Sequence, residues 1–150
     1  MLSSILTVCV GNICRSPMAE GLLKSRITAS NRDIHIASAG LMAVVGYPAD
    51  PLAVELMRDR GIDITDHRAR QLTLEVMRGF DVVLVMERQH QQTIERLMPV
   101  ARGRVFTLGR WDNIEIADPV GQPREYFEQT LALIDQSVDS WMSYFRKLSP

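Results

Sequence analysis

Apolar positions along the chain alternate between two periods. Ser3–Val8 is a short, β-branched apolar run (Ile5, Leu6, Val8) and predicts a strand, whereas Pro17–Thr28 carries Met18, Leu22, Leu23 and Ile27 at the spacing of one helix face. Ile34–Ala37 predicts a second strand, ending at Ser38-Ala39-Gly40. Leu41–Tyr47 is apolar too, but Gly46 and Pro48 punctuate it, so it reads as a loop. Asp50 suits the cap of a helix from Pro51 to about Arg60 that Gly61 terminates, and a short helix follows from Thr73 to Arg78. Phe80–Met86 is nearly continuous in apolar residues, the pattern of a strand buried on both faces. A helix from about Arg88 to Leu97 and a fourth strand near Arg104–Leu108 come next.

The final helix, from about Arg124 to Phe145, places Phe127, Leu131, Ile134, Val138, Trp141 and Phe145 at alternating steps of four and three, the core-facing stripe of an amphipathic helix. Strands alternating with helices predict a single α/β domain: a four-stranded parallel sheet with helices on both faces. In such folds ligands bind outside the carboxyl ends of the strands, at the point where strand order reverses. The loop after the first strand is the expected site.

Composition narrows the chemistry. With 150 residues, 46% hydrophobic and 23% charged, the chain is long enough for one ordinary core. A formal net charge of −1 gives no general attraction to nucleic acid or to a membrane surface, so any anion binding has to be local. The first residues run directly into a strand without a basic segment, and no apolar run approaches the ~18–20 residues of a membrane span, so a cytoplasmic location without membrane insertion is expected. Cys9 and Cys14 lie in one loop and do not staple distant segments. The three His are scattered away from metal-ligand spacing, so neither a metal nor another cofactor is expected.

The segment Val8-Cys9-Val10-Gly11-Asn12-Ile13-Cys14-Arg15-Ser16-Pro17 carries the chemistry. Pro17 suits the first helical position and Ser16 the cap before it. Loop N–H groups and the positive end of the following helix then converge on one anion site. Gly11 permits a positive φ angle, and Asn12 tolerates the left-handed region. Cys9 stands at the mouth, where the same field favours thiolate over thiol. Arg15 adds a guanidinium fork able to bind two oxygens of one phosphate. A nucleophile and a phosphate cradle this close imply covalent phosphoryl transfer.

This loop resembles the signature of the low-molecular-weight protein tyrosine phosphatases, and the likeness runs through almost the whole chain, 1–150. The resemblance implies hydrolysis of phosphotyrosine through a cysteinyl-phosphate. Cys9 would be the nucleophile, and the loop from Val10 through Gly11, Asn12, Ile13, Cys14, Arg15 and Ser16 would bind the phosphate. Ala117-Asp118-Pro119-Val120-Gly121 supplies the acid: Pro119 holds Asp118 in an extended loop, and Asp118 matches the family's catalytic acid just ahead of the last helix. Asn12, Ser16, Ser38 and His67 match the network that fixes the loop, with the Ser16 hydroxyl able to donate to the Cys9 sulfur. Cys14 matches the thiol that traps oxidised Cys9 reversibly. Two departures accompany the match. Val120 stands where the family has an aromatic residue that flanks the substrate ring, a role Tyr47 could partly take, and Ala117 stands where bacterial relatives often have Pro.

Gly109-Arg110-Trp111-Asp112-Asn113 resembles bacterial members paired with tyrosine autokinases that control capsule or exopolysaccharide export, which implies such a kinase as the phosphotyrosine protein partner. Arsenate reductases share the loop but need further cysteines, and none follows Cys14. Arginine phosphatases of the family have Thr where this chain has Ile13, whose apolar branch lacks a hydroxyl for a guanidinium-linked phosphate. A non-catalytic phosphopeptide-binding module would lack Cys9, Arg15 or Asp118, and all three are present.

Overall fold

The computed structural model describes residues 1–148. Strands β1 (Ser4–Cys9), β2 (His35–Gly40), β3 (Val82–Val85) and β4 (Val105–Thr107) form one sheet in the order β2-β1-β3-β4. All pairings are parallel, so each connection is a crossover. The crossovers carry α1 (Arg15–Ala29), α2 (Pro51–Arg58), α3 (Leu74–Arg78) and α4 (Arg88–Leu97), and α5 (Arg124–Leu148) closes the domain. The pleat divides the apolar residues between two cores. Ile5, Cys9 and Leu84 pack with the buried faces of α1, α2 and α5, while Leu6, Val8, Val83 and Val85 pack with Met77 of α3 and Ile94 of α4. This is the expected four-stranded parallel sheet with helices on both faces.

Several boundaries differ from the sequence reading, each for a local reason. α1 begins two residues before Pro17, at Arg15, with Cys14 in the cap position and no side-chain cap bond. Ser16 is therefore not the cap; its hydroxyl is engaged with Cys9 and Asn12 instead. Pro17 still lies in the first turn, where its missing N–H leaves no bond unmade. β2 runs on through Ser38 and Ala39 to Gly40, because Gly40 stays in register opposite Cys9. β3 is shorter than Phe80–Met86: the Asp81 carboxylate accepts bonds from the Ser3 backbone N–H and hydroxyl, which ties that residue across the sheet end. α2 stops at Arg58, and Gly61 at φ 76° turns the chain away. Asp50 does cap α2, accepting from Leu52 N at 2.9 Å, and Thr73 caps α3 through Val76 N at 3.1 Å. Two 3-10 turns, Pro99–Ala101 and Arg110–Asp112, were not expected.

The chain leaves β1 for β2 on one side and later returns to β3 on the other. The reversal point thus falls beside the carboxyl end of β1, where the Cys9–Ser16 loop begins.

Candidate active site

The loop is shaped by bonds to its carbonyl groups. Cys9 O, Val10 O and Gly11 O accept from Leu41 N, Met42 N and Val44 N at 2.9, 2.9 and 3.2 Å, and Ile13 O accepts from Asp50 N at 2.8 Å. Asn12 O accepts from His67 Nε2 at 2.6 Å; a carbonyl only accepts, so that nitrogen carries the proton. In a trans peptide the C=O and the following N–H point opposite ways, and the described residues contain no cis bond. Carbonyls tied outward therefore turn the N–H groups of residues 10–14 inward, toward one point. The first N–H groups of α1, without intrahelical acceptors, add to the same field.

Asn12 locks this curl. Its φ of 60° places it in the left-handed region, and it is wholly buried. Its Nδ2 donates to Ser16 Oγ at 2.7 Å and to Ser38 Oγ at 3.0 Å, while its Oδ1 accepts from Arg70 N at 2.9 Å. Arg70 Nε in turn donates to Ser38 O at 3.1 Å. Because Ser16 Oγ accepts from Asn12, its own proton is left for the Cys9 Sγ, 2.9 Å away.

Arg15 is 1% exposed, an uncommon place for a guanidinium, and its partners explain it. Nη1 donates to Glu87 Oε2 and to Ile116 O, both at 2.8 Å. That uses both hydrogens of Nη1 and leaves Nη2 and Nε as the free side of the fork. Nη2 lies 3.8 Å from Asp118 Oδ2. Asp118 is exposed in the loop ahead of α5, and its other oxygen accepts from Val120 N at 3.0 Å. Oδ2 is thus held on the Arg15 side with Oδ1 occupied.

Tyr47 is 63% exposed and Val120 46% exposed, and Ile13 is half-buried against the main core. Cys14 is buried, and both cysteines are free thiols. Burial, with the charges of Asp50, Cys9 and Asp118 behind it, pushes the Cys14 thiol well above its ordinary range, against a smaller opposing effect of Arg15. A cavity of about 710 Å³ lies behind the network, lined by Ser38, His67 and Arg70 among others, and reaches neither Cys9 nor Asp118.

The residues picked from sequence thus meet: Cys9, Asn12, Ser16, Ser38 and His67 in one bonded cluster, with Arg15 and Asp118 at its edge. Glu87, Ile116 and Arg70 were missed. Glu87 directly follows the end of the most apolar strand pattern, which is the one signal that could have marked it.

Comparison with known proteins identifies the chain's relatives. The family described as low molecular weight phosphotyrosine protein phosphatase matches residues 4–149. The probable low molecular weight protein-tyrosine-phosphatase EpsP of Ralstonia nicotianae is 44% identical over 148 residues, 99% of each chain. The crystal structure of the Erwinia amylovora tyrosine phosphatase AmsI superposes with a TM-score of 0.90 at 41% identity, covering 96% of this chain and 93% of that one. YwlE arginine phosphatase, solved as a cysteine-to-serine mutant with a phosphorylated active-site serine, gives a TM-score of 0.91 at 33% identity over 96% of both chains.

Proposed function

Because this chain belongs to the low molecular weight phosphotyrosine protein phosphatase family, and is thereby a protein-tyrosine-phosphatase, we propose that it works through a cysteinyl-phosphate held in the Cys9–Ser16 loop. Cys9 Sγ attacks phosphorus in line with the bond to the tyrosine oxygen. As the P–O bond breaks, Asp118 gives its proton to the leaving phenolate. The loop N–H groups and the free side of Arg15 hold the equatorial oxygens, where transition-state charge collects. Asp118, now a carboxylate, takes a proton from the water that attacks the phosphocysteine. The P–S bond breaks with the Ser16 hydroxyl donating to the departing sulfur, and inorganic phosphate leaves.

One observation carries this reading: the carbonyls of Cys9 through Ile13 are all bound from outside, so an anion cradle stands preformed beside a sulfur that already has a hydroxyl partner. Purified protein should hydrolyse para-nitrophenyl phosphate and a phosphotyrosine peptide. C9S should lose turnover while still binding inorganic phosphate, and C9S with residual activity near wild type would overturn the mechanism.

The physiological substrate we infer is a bacterial tyrosine autokinase of capsule or exopolysaccharide production, met in the cytoplasm. The Gly109–Asn113 segment and the likeness to EpsP and AmsI support it, and no helix among the described residues is long and apolar enough to cross a membrane. A substrate-trapping D118A pull-down from a phosphorylated lysate tests it. The likeness to an arginine phosphatase favours one second reading, phosphoarginine hydrolysis. Ile13, which offers no hydroxyl at the rim, argues for tyrosine. Parallel assays on phosphotyrosine and phosphoarginine peptides decide between them.

A further inference from the structure

The geometry points to His90 as a positioning residue that acts through Glu87 to hold Arg15 in its phosphate-binding orientation. The inference rests on the phosphatase reading above. His90 lies in the first turn of α4 and is 4% exposed. Its Nδ1 is buried with no hydrogen-bond partner among the described residues, and its Nε2 lies 3.4 Å from Glu87 Oε2. That same carboxylate oxygen accepts from Arg15 Nη1 at 2.8 Å. One oxygen thus accepts from the guanidinium and lies at a longer 3.4 Å from the imidazole.

A buried imidazole with an idle nitrogen is a poor choice for packing alone. A leucine would occupy the space without leaving a polar atom unpaired. The arrangement makes sense if the other nitrogen has work to do. Nδ1, lacking an acceptor, is least costly as a bare lone pair, which puts the proton on Nε2, facing Oε2. Burial lowers the His90 pKa, with Arg15 adding to the effect and Glu87 opposing it, so the ring stays neutral and does not compete with Arg15 as a second cation. The other charges that act on the ring are the carboxylates of Glu115 and Asp118.

Glu87 needs such a restraint. It is the residue preceding α4, its side chain makes no cap bond, and it is 25% exposed. Among the described residues its second oxygen meets only the Gln89 side chain, at 3.2 Å on the surface. A neutral N–H below Oε2, bounded by the rigid first turn of α4, keeps the carboxylate under Arg15. With Nη1 fixed there and on Ile116 O, Nη2 and Nε are left for phosphate oxygens.

The test compares H90L, H90Q and H90N in the full chain, with inorganic phosphate as competitive inhibitor of para-nitrophenyl phosphate hydrolysis. Glutamine sets an N–H near the Nε2 position, asparagine near Nδ1. H90L and H90N should raise the phosphate inhibition constant and KM about fivefold, in the range of one charge-assisted bond made less exact, while H90Q stays within about twofold of wild type. In an E87Q background, H90L should add no further loss, because His90 acts only through that carboxylate. A general folding defect would lower kcat without moving the phosphate constant. If H90L does not fold, the H90Q–H90N contrast decides alone. Phosphate inhibition unchanged in H90L, H90Q as impaired as H90N, or additive losses with E87Q would each overturn the inference. Failure of the wild type itself to hydrolyse the ester would overturn the phosphatase reading instead.

Discussion

Replacing Gly40 by alanine should damage the proposed phosphate cradle from the end of β2, behind the loop. A Cβ built on Gly40 would sit 2.5 Å from Val10 O, 3.0 Å from the Asn12 Cβ and 3.1 Å from the Ala43 Cβ. Ordinary carbon–oxygen contact begins near 3.4 Å, so the overlap with Val10 O is about 0.9 Å. Neither partner can retreat freely. Gly40 N donates to Arg70 O at 2.9 Å, and Gly40 O accepts from Leu72 N at 2.8 Å, while Val10 O is held by Met42 N at 2.9 Å. Something between them must move by roughly half an ångström to one ångström, and the loop peptide carrying the Val10 carbonyl is the least enclosed part. Misplacing catalytic groups by about 1 Å costs on the order of 10²-fold in rate, and overpacking of this kind costs about 1–3 kcal/mol of stability.

The assay is kcat/KM for para-nitrophenyl phosphate and the inhibition constant for inorganic phosphate, with thermal melting alongside. G40A should lose about 10- to 100-fold in kcat/KM and bind phosphate more weakly. G79A is the control, since its added Cβ would meet only Val76 O, at an ordinary 3.4 Å, far from the site; it should keep wild-type kinetics. A G40A protein within threefold of wild type would refute the argument that the loop is held in place from behind.

Three other outcomes follow from the same geometry. D118A should cost about 10²–10⁴-fold with phosphotyrosine, whose leaving group needs a proton, and much less with para-nitrophenyl phosphate; equal losses would exclude Asp118 as the acid. Peroxide should inactivate the enzyme by converting Cys9 to a sulfenic acid, which Cys14 condenses with, releasing water and closing a disulfide that added thiol reopens. Because burial, and then the charge of Asp50, raise the Cys14 pKa, closure should speed up as pH rises above neutral, and recovery should vanish in C14S; recovery in C14S would sink that role. Finally, His90 has a folded pKa below its unfolded value of 6.5. The unfolded chain then takes up the proton first, so stability is lost as pH falls below about 6.5 and the loss ends once folded His90 is itself protonated. Urea midpoints should show wild type losing up to about 1.4 kcal/mol per pH unit more than H90Q in that window, and parallel slopes would contradict it.

What could be read from sequence, and what could not, follows the range of the interactions. Element types were legible because burial imposes period on the apolar residues: the α5 stripe from Phe127 to Phe145 is buried at every predicted position. Cys9 and Arg15 were legible because both stand in one short loop between a strand pattern and a helix pattern, and Asp118 because the family resemblance marks the Asp-Pro pair ahead of the last helix. Of the two roles read for Ser16, the cap fits only the local pattern of a serine before a proline, whereas the fold gives its hydroxyl to Asn12 and Cys9, as the family resemblance implies. The partners of Arg15 lie 72 and 101 residues away, at Glu87 and Ile116, beyond anything periodicity can report. The amides that fix the loop carbonyls belong to Leu41, Met42 and Val44, residues whose side chains read only as an apolar loop.

On the proposed mechanism, those distant partners also account for how a chain with a net charge of −1 would attract a phosphate dianion. Arg15 is compensated by Glu87, so the pair adds little net charge to the site. The remaining attraction comes from backbone N–H groups turned inward, and dipoles attract an anion only while they keep their orientation. Each outward bond to a loop carbonyl is therefore an electrostatic device as much as a structural one. The field at the cradle is maintained by residues 41–44, Asp50 and His67, and Arg15 mainly adds direction, presenting a planar edge on which phosphate oxygens align. On this view the selectivity of the site for a tetrahedral anion is a property of the packing between the end of β1 and the segments around it, and loosening that packing weakens binding without removing a single charge.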